Sequence, residues 1–301
     1  MSLAPIVLFV YNRPWHTKQT VEALQENSLA SDSELFIYSD EAKNETAEQA
    51  VKEVRKYIHS INGFKTITVV ERDKNMGLAD SIIDGVTSVV NQYGKVIVLE
   101  DDLVTSPYFL KFMNDALSFY QLYEKVWHIS GYRPPIDCEG VAKSFFIKPT
   151  SCWGWATWGD RWSFFKKDAT YFLHKFDKYL IADFNVNNSY NYYSHLELNN
   201  SNKLNTWAIF WYATVYFEGG LSLHPNCSYV KNIGHDGSGV HCKSNDKFNV
   251  LLTNSYESDF SDNVSISSQH NRALAKYYNS QKLGFFTKVV RKIFGLIRGT
   301  S

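Results

Sequence analysis

The first hundred residues alternate between short apolar segments and amphipathic segments, and this alternation constrains the fold more than any other feature of the sequence. Four segments rich in β-branched residues are typical of strands, and they span residues 6–11, 35–38, 66–70 and 96–100. Between them, residues 17–24, 45–58 and 78–90 carry apolar side chains at helical spacing. Asn44 precedes the second of these helices as an N-cap. Repeated βα units predict an α/β fold with a Rossmann-like, mostly parallel central sheet flanked by helices.

The pattern changes after residue 102. We predict a helix over residues 107–123 with a proline in its first turn, then a strand over 126–130, then loops rich in aromatic residues. Six of the eight tryptophans lie between Trp153 and Trp211, and the segment from the 170s to Asn202 is typical of a partly exposed helical insertion. We therefore predict one domain over residues 1–250 and a C-terminal helical extension over residues 251–301.

Composition limits the functional classes. At 301 residues and 44% apolar content, the chain can bury a large core. Lys plus Arg equals Asp plus Glu at 31 each, so the net charge does not attract nucleic acid, and we expect no such partner. The first strand lacks the basic leader and the cleavage site of a signal peptide, and apolar runs stay shorter than the roughly 18 residues of a membrane span. We expect a cytoplasmic protein whose four cysteines are reduced.

Three consecutive acids, Glu100, Asp101 and Asp102, follow the fourth predicted strand. Adjacent carboxylates repel one another and raise one another's pKa unless hydrogen bonds or a metal offset their charge. Ligands of open α/β sheets bind at the carboxyl ends of the strands, and a hard divalent cation that is shared with a ligand's phosphates fits such a cluster. The motif predicts a nucleotide site with Mn²⁺ or Mg²⁺, and a solvated acidic loop is the alternative.

Residues 281–301 interleave apolar and basic side chains in the pattern of an amphipathic helix. Such a helix can lie on an anionic membrane surface, which would make the protein peripheral on the inner face of the membrane. It can equally dock on the domain with its basic face in solvent. Both interpretations stay open at this point.

Several motifs follow one another in the order found in nucleotide-sugar-dependent glycosyltransferases of the GT-A fold. They are FVYNRP at 9–14, YSD at 38–40, VLEDDL at 98–103, CWGWATWG at 152–159 and NIGHDGSGVH at 232–241. Over about residues 5–245 the chain resembles this family, including the N-acetylglucosaminyltransferase I type and bacterial family 2-like sugar transferases. The resemblance implies a GT-A fold and a sugar-transfer activity.

The resemblance also implies roles for the acids and for a histidine. Asp102 would ligate Mn²⁺ or Mg²⁺ at the donor's diphosphate, while Asp101 and Glu100 would contact the ribose and the donor sugar. His241 resembles the C-terminal histidine that completes the metal site in many GT-A enzymes. An ordinary loop histidine is the alternative for His241.

Three further positions would hold the nucleotide. The resemblance gives Arg13 and Asp40 this role, with Asp40 accepting a hydrogen bond from a pyrimidine N–H. Asn75 begins the sequence NMGL, which resembles a family turn beside the donor. The structural alternatives are a surface arginine before a proline for Arg13, a helix cap for Asp40 and a plain glycine turn for Asn75.

The tryptophan-rich motif has two interpretations. Trp153 and Trp155 could form the floor of a saccharide pocket, because the C–H faces of sugars stack on aromatic rings. Alternatively, both side chains could fill the core, as most tryptophans do.

An inverting transfer needs a base that takes the proton from the acceptor hydroxyl. The resemblance implies a carboxylate just before Trp207, but this chain has Asn205 there, and an amide cannot act as that base. A neighbouring acid would then act instead, or the alignment is shifted, or catalysis is impaired. The candidate acids are Asp236, Glu197, Glu218 and Asp183. We favour Asp236, because it lies in the Gly-rich stretch expected near the donor.

The leading hypothesis is an inverting, metal-dependent hexosyl- or N-acetylhexosaminyltransferase. It would move a sugar from a nucleotide-diphosphate donor, with a UDP-sugar favoured, to a glycan or lipid-linked glycan in surface polysaccharide biosynthesis. A nucleotidyltransferase is a second hypothesis, although the sequence NRPW at 12–15 is a poor match to the Gly-rich loop expected there. A catalytically silent carbohydrate-binding protein on the same fold is a third, which the amide at Asn205 favours.

Overall fold

The computed structural model describes residues 2–138, 143–237, 247–257 and 259–297, with residues 283–297 described as helix backbone. The strands are β1 (Ile6–Val10), β2 (Glu34–Ser39), β3 (Thr66–Glu71), β4 (Lys95–Glu100), β5 (Leu103–Thr105), β6 (Val126–Ser130), β7 (Ser144–Ile147), β8 (Trp155–Trp158), β9 (Leu221–Pro225) and β10 (Val230–Asn232). The helices are α1 (Pro14–Gln25), α2 (Glu45–Ile58), α3 (Leu78–Tyr93), α4 (Phe109–Phe119), α5 (Gly159–Trp162), α6 (Ala169–Leu173), α7 (Lys178–Phe184), α8 (Tyr193–Asn200), α9 (Ala208–Phe217) and α10 (Ser268–Ile297).

Eight strands form one central sheet in the order β3-β2-β1-β4-β8-β6-β9-β7, and β5 pairs with β10 in a separate two-stranded ribbon. The strands β3, β2, β1 and β4 are mutually parallel, and β6 pairs with β9 in parallel. The strands β8 and β7 pair with their neighbours in the antiparallel direction. The predicted α/β architecture with a mostly parallel sheet is therefore confirmed.

Helices cover both faces of the sheet. Along β1, Ile6 and Leu8 belong to a core that includes α1, α2 and α4, whereas Val7 and Phe9 belong to a second core with α3 and α9. Burial on both faces explains why the predicted strands read as continuous apolar runs rather than as alternating ones.

The predicted helices of the first half are observed with small differences at their ends. Pro14 begins α1, where its missing N–H is tolerated. The Asn44 side chain accepts a hydrogen bond from the Thr46 hydroxyl at 2.7 Å rather than from the helix backbone. Helix α4 is shorter than the predicted span 107–123, because it starts at Phe109 after Pro107 and ends in a turn at Tyr120.

The insertion before α9 is helical, as predicted. Helices α6, α7 and α8 pack on α9 around a small aromatic core that includes Phe172, Phe184 and Phe210. Three consecutive residues after α7, Val186, Asn187 and Asn188, have positive φ angles, and so does Asn202 after α8.

The C-terminal segment packs against the domain. Residues 251–257 and 259–267 run over α4, where Phe260 contacts Phe112 and Tyr120, so the predicted helical extension over 251–301 is helical from Ser268. The ring of His270 stacks on Phe145 at 3.8 Å, which docks the start of α10 on β7. Within the described residues, none of the helices combines the length and the apolar character needed to cross a membrane.

Candidate active site

The site lies where the strand order of the sheet reverses. From β1 the chain adds β2 and β3 on one side and then β4 on the other side. Crevices at the carboxyl ends of such strands are the usual ligand sites of open α/β sheets. Arg13 follows β1, and Glu100, Asp101 and Asp102 come at the end of β4, so the predicted residues meet at this crevice.

Arg13 is ion-paired with both aspartates. Its Nη2 lies 3.0 Å from Asp102 Oδ2, and the guanidinium also pairs with both carboxylate oxygens of Asp101. Although burial opposes its charge, the two carboxylates raise the pKa of Arg13. The residues Asp101 and Asp102 are only 5% and 8% exposed. Burial raises the pKa of Asp101 against the influence of Arg13.

Glu100 ends β4 beside this pair. Burial, together with the negative charges of Asp102 and Asp101, raises the pKa of Glu100 to about 8. Arg13 lowers the pKa of Glu100 but does not cancel the effects of burial and of the two aspartates. Additional positive charge would stabilise the ionised cluster.

Backbone contacts fix the two aspartates. The Thr20 hydroxyl on α1 donates to the Asp101 carbonyl at 2.8 Å and accepts from the Leu103 N–H at 3.1 Å. The N–H of Ile233 donates to the Asp102 carbonyl at 2.8 Å. Helix α1 and the β5–β10 ribbon therefore hold the acidic turn from two sides.

Gly234 lies directly against Asp102. A Cβ at Gly234 would lie 2.0 Å from Asp102 Oδ2 and 3.0 Å from Arg13 Nη1, so a glycine is required at this approach. The antiparallel pairing of β10 with β5 brings the chain here. The next acid, Asp236, is exposed, and its carboxylate lies 3.0 Å from His16 Nε2 on α1. The predicted metal ligand His241 lies outside the described residues.

Asp40 and Asn75 come together at the end of β2, as neighbours of one another. One carboxylate oxygen of Asp40 accepts from the N–H of Met76 at 2.8 Å, and the other accepts from the Gly77 N–H at 2.8 Å and from Asn75 Nδ2 at 3.1 Å. The N–H of Glu41 donates to Asp40 as well. Since these donors use the main acceptor positions, Asp40 shapes the 75–77 turn, and accepting from a base would require it to release a donor.

Trp155 is a core residue, which corrects the prediction of a saccharide pocket at this position. Its residue exposure is 0%. The indole stacks on Trp207 at 5.1 Å and on His128 at 5.5 Å between ring centroids. The reason is that Trp155 starts β8, which is inserted between β4 and β6, so both faces of the strand are covered.

Trp153 lies in the loop before β8 and lines a cavity of about 290 Å³. Its ring contacts those of Tyr132 at 4.7 Å and His235 at 5.4 Å. Thr206 lines the same cavity, while the neighbouring Asn205 is exposed in the loop before α9. The structure thus separates Trp153 and Trp155, which the sequence interpretation treated together.

The acidic crevice suits a hard divalent cation in part. Among the described residues, no group of three or more His, Cys, Asp or Glu side chains is arranged as a metal site. Mg²⁺ and similar ions commonly take one or two protein carboxylates and complete their coordination with substrate phosphates and water. The buried carboxylates, the raised pKa of Glu100 and the close backbone approach at Gly234 fit this mode of binding.

The sequence interpretation missed three residues of the site, namely His16, Thr20 and Gly234. Thr20 on α1 contacts Asp101, and His16 on the same helix contacts Asp236. These contacts depend on how α1 packs in the fold, and the helical pattern of the sequence alone does not predict that packing. Gly234 belongs to the motif NIGHDGSGVH at 232–241, and a glycine at this position is the signal in the sequence for a close approach of the backbone. Cys138 and Cys227 form no disulfide with another described residue, and Cys242 lies outside the described residues.

No protein-family model and no curated protein matches the chain. Among solved structures, TarS of S. aureus is similar with a TM-score of 0.42 and 14% identity over 75% of this chain and 36% of TarS. The TarS fragment 1-349 is similar with a TM-score of 0.41 and 12% identity over 75% of this chain and 59% of the fragment. This chain therefore spans about a third of the length of the first structure and three fifths of the second.

The mannosyltransferase PcManGT from Pyrobaculum calidifontis, in complex with GDP-Man and Mn²⁺, is similar with a TM-score of 0.38 and 10% identity. The match covers 72% of this chain and 69% of PcManGT.

Proposed function

We propose that this chain is an inverting, metal-dependent glycosyltransferase that uses a nucleotide-diphosphate sugar. The observation that carries the proposal is the buried pair Asp101 and Asp102, held with Arg13 at the point where the strand order reverses. Acids and a guanidinium at one crevice provide both parts of a diphosphate site, since carboxylates attract a cation and arginine pairs with phosphate.

Each group then has a role of its own. Asp102, assisted by Asp101, would hold Mn²⁺ or Mg²⁺, and the cation when bound would stabilise the negative charge of the leaving diphosphate. Arg13 would exchange an aspartate partner for a phosphate oxygen. The 75–77 turn, which Asp40 holds, would border the nucleotide.

The donor and the acceptor are part of the proposal. We place a UDP-sugar first among donors and a glycan or lipid-linked glycan as the acceptor, in surface polysaccharide biosynthesis. The basic and apolar pattern of residues 281–301 supports contact with an anionic membrane from the cytoplasmic side. Hexosyl and N-acetylhexosaminyl transfer are both compatible with this site.

The test is the release of nucleotide from a panel of UDP-sugars and GDP-mannose with Mn²⁺. Asp102→Ala should lower the rate by about 100-fold or more, because it removes a charge that acts on the leaving group. EDTA should have the same effect on the unchanged chain. Asp80→Ala, at an exposed ion pair with Lys167, is the matched control and should keep full activity. A rate that is unchanged in Asp102→Ala, and unchanged by EDTA in the unsubstituted chain, would refute the proposal.

The second candidate is a catalytically silent carbohydrate-binding protein, which the amide at Asn205 favours. It would show donor binding with no release of nucleotide. Asn205→Asp separates the two, because an added carboxylate raises the rate only in a site that otherwise performs the reaction.

A further inference from the structure

A cavity of about 290 Å³ lies between the 147–153 segment, the helical insertion and α10. Its wall is rich in aromatic rings, among them Trp153, Tyr190, Tyr192, Tyr212, Tyr277 and Tyr278. The hydroxyls of Tyr192 and Tyr278 are hydrogen-bonded at 2.8 Å, which joins the insertion to α10 across the cavity. Its volume is close to the lower limit for small-molecule sites.

The cavity is connected to the acidic crevice through two residues. Trp153 lines the cavity and contacts the ring of His235. His235 follows Gly234, which lies against Asp102. A molecule in the cavity would therefore meet a donor whose diphosphate is held at the acids.

The chemistry of the wall favours an uncharged polar ligand with apolar faces. Within the described part of the chain, the lining contains no Asp, Glu, Lys or Arg side chain. Tyrosine and tryptophan rings offer stacking faces, and their polar tips offer hydrogen bonds. Both ring nitrogens of His235 are shielded from solvent and have no hydrogen-bond partner among the described residues. His235 is not part of the lining and contacts it through Trp153. Buried nitrogens of this kind usually have a partner, and a ligand that reaches past Trp153 would provide one.

Two histidines line the cavity, and they differ in what they can do. The ring nitrogens of His224 already contact the Tyr132 carbonyl at 3.0 Å and the Ser222 hydroxyl at 2.9 Å. The side chain of His195 on α8 contacts the Tyr190 ring, and its ring nitrogens have no hydrogen-bond partner within the described residues. Burial lowers the pKa of His195, which keeps the imidazole neutral and able to accept a proton.

We propose that this cavity binds the saccharide acceptor and that His195 is the base that activates its hydroxyl. The inference rests on the proposed glycosyl transfer and deepens it. The proton of the hydroxyl passes to an imidazole nitrogen of His195, and the hydroxyl oxygen forms a bond to the anomeric carbon. The bond from that carbon to the diphosphate breaks, and its electron pair leaves with the nucleoside diphosphate. The His195 proton is then lost to water.

The position of the cavity explains why His195 suits the role better than Asp236. An inverting attack comes from the side opposite to the leaving diphosphate. Asp236 pairs with His16 on α1, beside the acids that would hold the diphosphate. The lining of the cavity includes Trp153 but none of the acids at the crevice. Thr206 of its wall is next to Asn205, where the sequence lacks the expected carboxylate.

The binding part is tested with p-nitrophenyl glycosides of glucose, galactose, mannose and N-acetylglucosamine, by saturation-transfer NMR. At least one should bind, and Tyr190→Ala should weaken it by about 10-fold through loss of a stacking face. Ala208→Leu fills the same cavity while keeping the aromatic rings, and it should also abolish binding. Tyr179→Ala, at an exposed tyrosine, is the control. If no glycoside binds, or if both cavity variants bind normally, the acceptor assignment is wrong.

The catalytic part is tested by transfer to a glycoside that binds. His195→Ala should lower kcat by about 100-fold or more, with glycoside binding unchanged, and added imidazole should restore part of the rate. His174→Ala, at an exposed histidine, should behave like the unchanged chain. An unchanged kcat in His195→Ala, or a loss that imidazole does not restore, would overturn the assignment.

Failure of this inference is distinguishable from failure of the proposed function. Stabilisation by donor and Mn²⁺ reports on the acidic crevice, and glycoside binding reports on the cavity. If the chain binds donor and the cavity variants change neither glycoside binding nor transfer, the proposed function stands and this inference is wrong.

Discussion

At the scale of single residues, Gly234 controls how closely the backbone approaches Asp102. Gly234→Ala would bring a Cβ to 2.0 Å from a carboxylate oxygen, so the aspartate must move. We expect a loss of about 1–3 kcal/mol in the free energy of unfolding, as for other overpacked sites. We also expect weaker stabilisation by donor and Mn²⁺. Urea unfolding and thermal shifts measure the two effects.

Gly219→Ala is the matched control for this prediction. Gly219 has a φ of 71° and open space around the added Cβ, so its replacement costs stability through backbone strain alone. Donor binding should stay unchanged. Equal effects of both substitutions on donor binding would show that Gly234 acts only through stability.

Residue types in motifs predicted part of the site. Arg13 and the acids were expected at adjacent strand ends, and they are in contact. The hydrogen bonds from the 75–77 turn to Asp40 were not predicted, because they join residues 35 to 37 positions apart. Trp153 and Trp155 differ in burial although they belong to one motif, since only the second lies in the sheet.

At the scale of elements, β9 carries a histidine that should make stability depend on pH. Burial lowers the pKa of His224 to about 4. Above pH 6.5 both the folded and the unfolded histidine are neutral, so it contributes nothing. As the pH falls below 6.5 only the unfolded chain takes up the proton, which costs about 2 kcal/mol of stability by pH 5.

The measurement is urea unfolding of the unchanged chain and of His224→Asn at pH 7.5 and pH 5. The raised pKa of Glu100 acts in the opposite direction, because the folded state then binds the proton first, but it acts equally in both proteins. The free energy of unfolding of the unchanged chain, measured relative to that of His224→Asn, should therefore be about 2 kcal/mol lower at pH 5 than at pH 7.5. A constant difference would show that His224 does not titrate as stated.

The prediction of elements was accurate for β1 to β4 and for β6, and it missed β5 and the strands after β6. The strands β1 to β4 and their helices are local units with clear periodicity, and each was predicted within a few residues. The strands β7, β8 and β9 are four or five residues long, and their pairing is decided by distant partners. The aromatic residues of β8 are compatible both with the wall of a pocket and with a buried strand. The position of β8 between β4 and β6 in the sheet distinguishes the two.

At the scale of the whole molecule, the insertion and α10 lie beside the central sheet and enclose a cavity. The sheet order 3-2-1-4 generates the acidic crevice, while α8 and α10 enclose the aromatic cavity beside it. Donor and acceptor would then be held by different parts of the chain. The predicted boundary at residue 250 stays a prediction.

The C-terminal segment gives a prediction about membranes. The chain of residues 1–301 should float with vesicles that contain phosphatidylglycerol, and a chain that ends at residue 280 should not, because the basic and apolar residues lie in 281–301. The shortened chain keeps Tyr277 and Tyr278, so its cavity is retained. Equal flotation of both proteins, or of neither, would argue for a soluble acceptor.

The central claim is that Asp102 and a sugar donor's diphosphate share one divalent cation. It is tested most directly by thermal unfolding with Mn²⁺ alone, with a panel of nucleotide sugars alone, and with both, for the unchanged chain and for Asp102→Asn. We predict that one donor together with Mn²⁺ raises the Tm by about 5 °C at roughly 100 times its Kd, more than the sum of the separate effects. Asp102→Asn should lose this increase. An equal shift without Mn²⁺, or in Asp102→Asn, would contradict the claim.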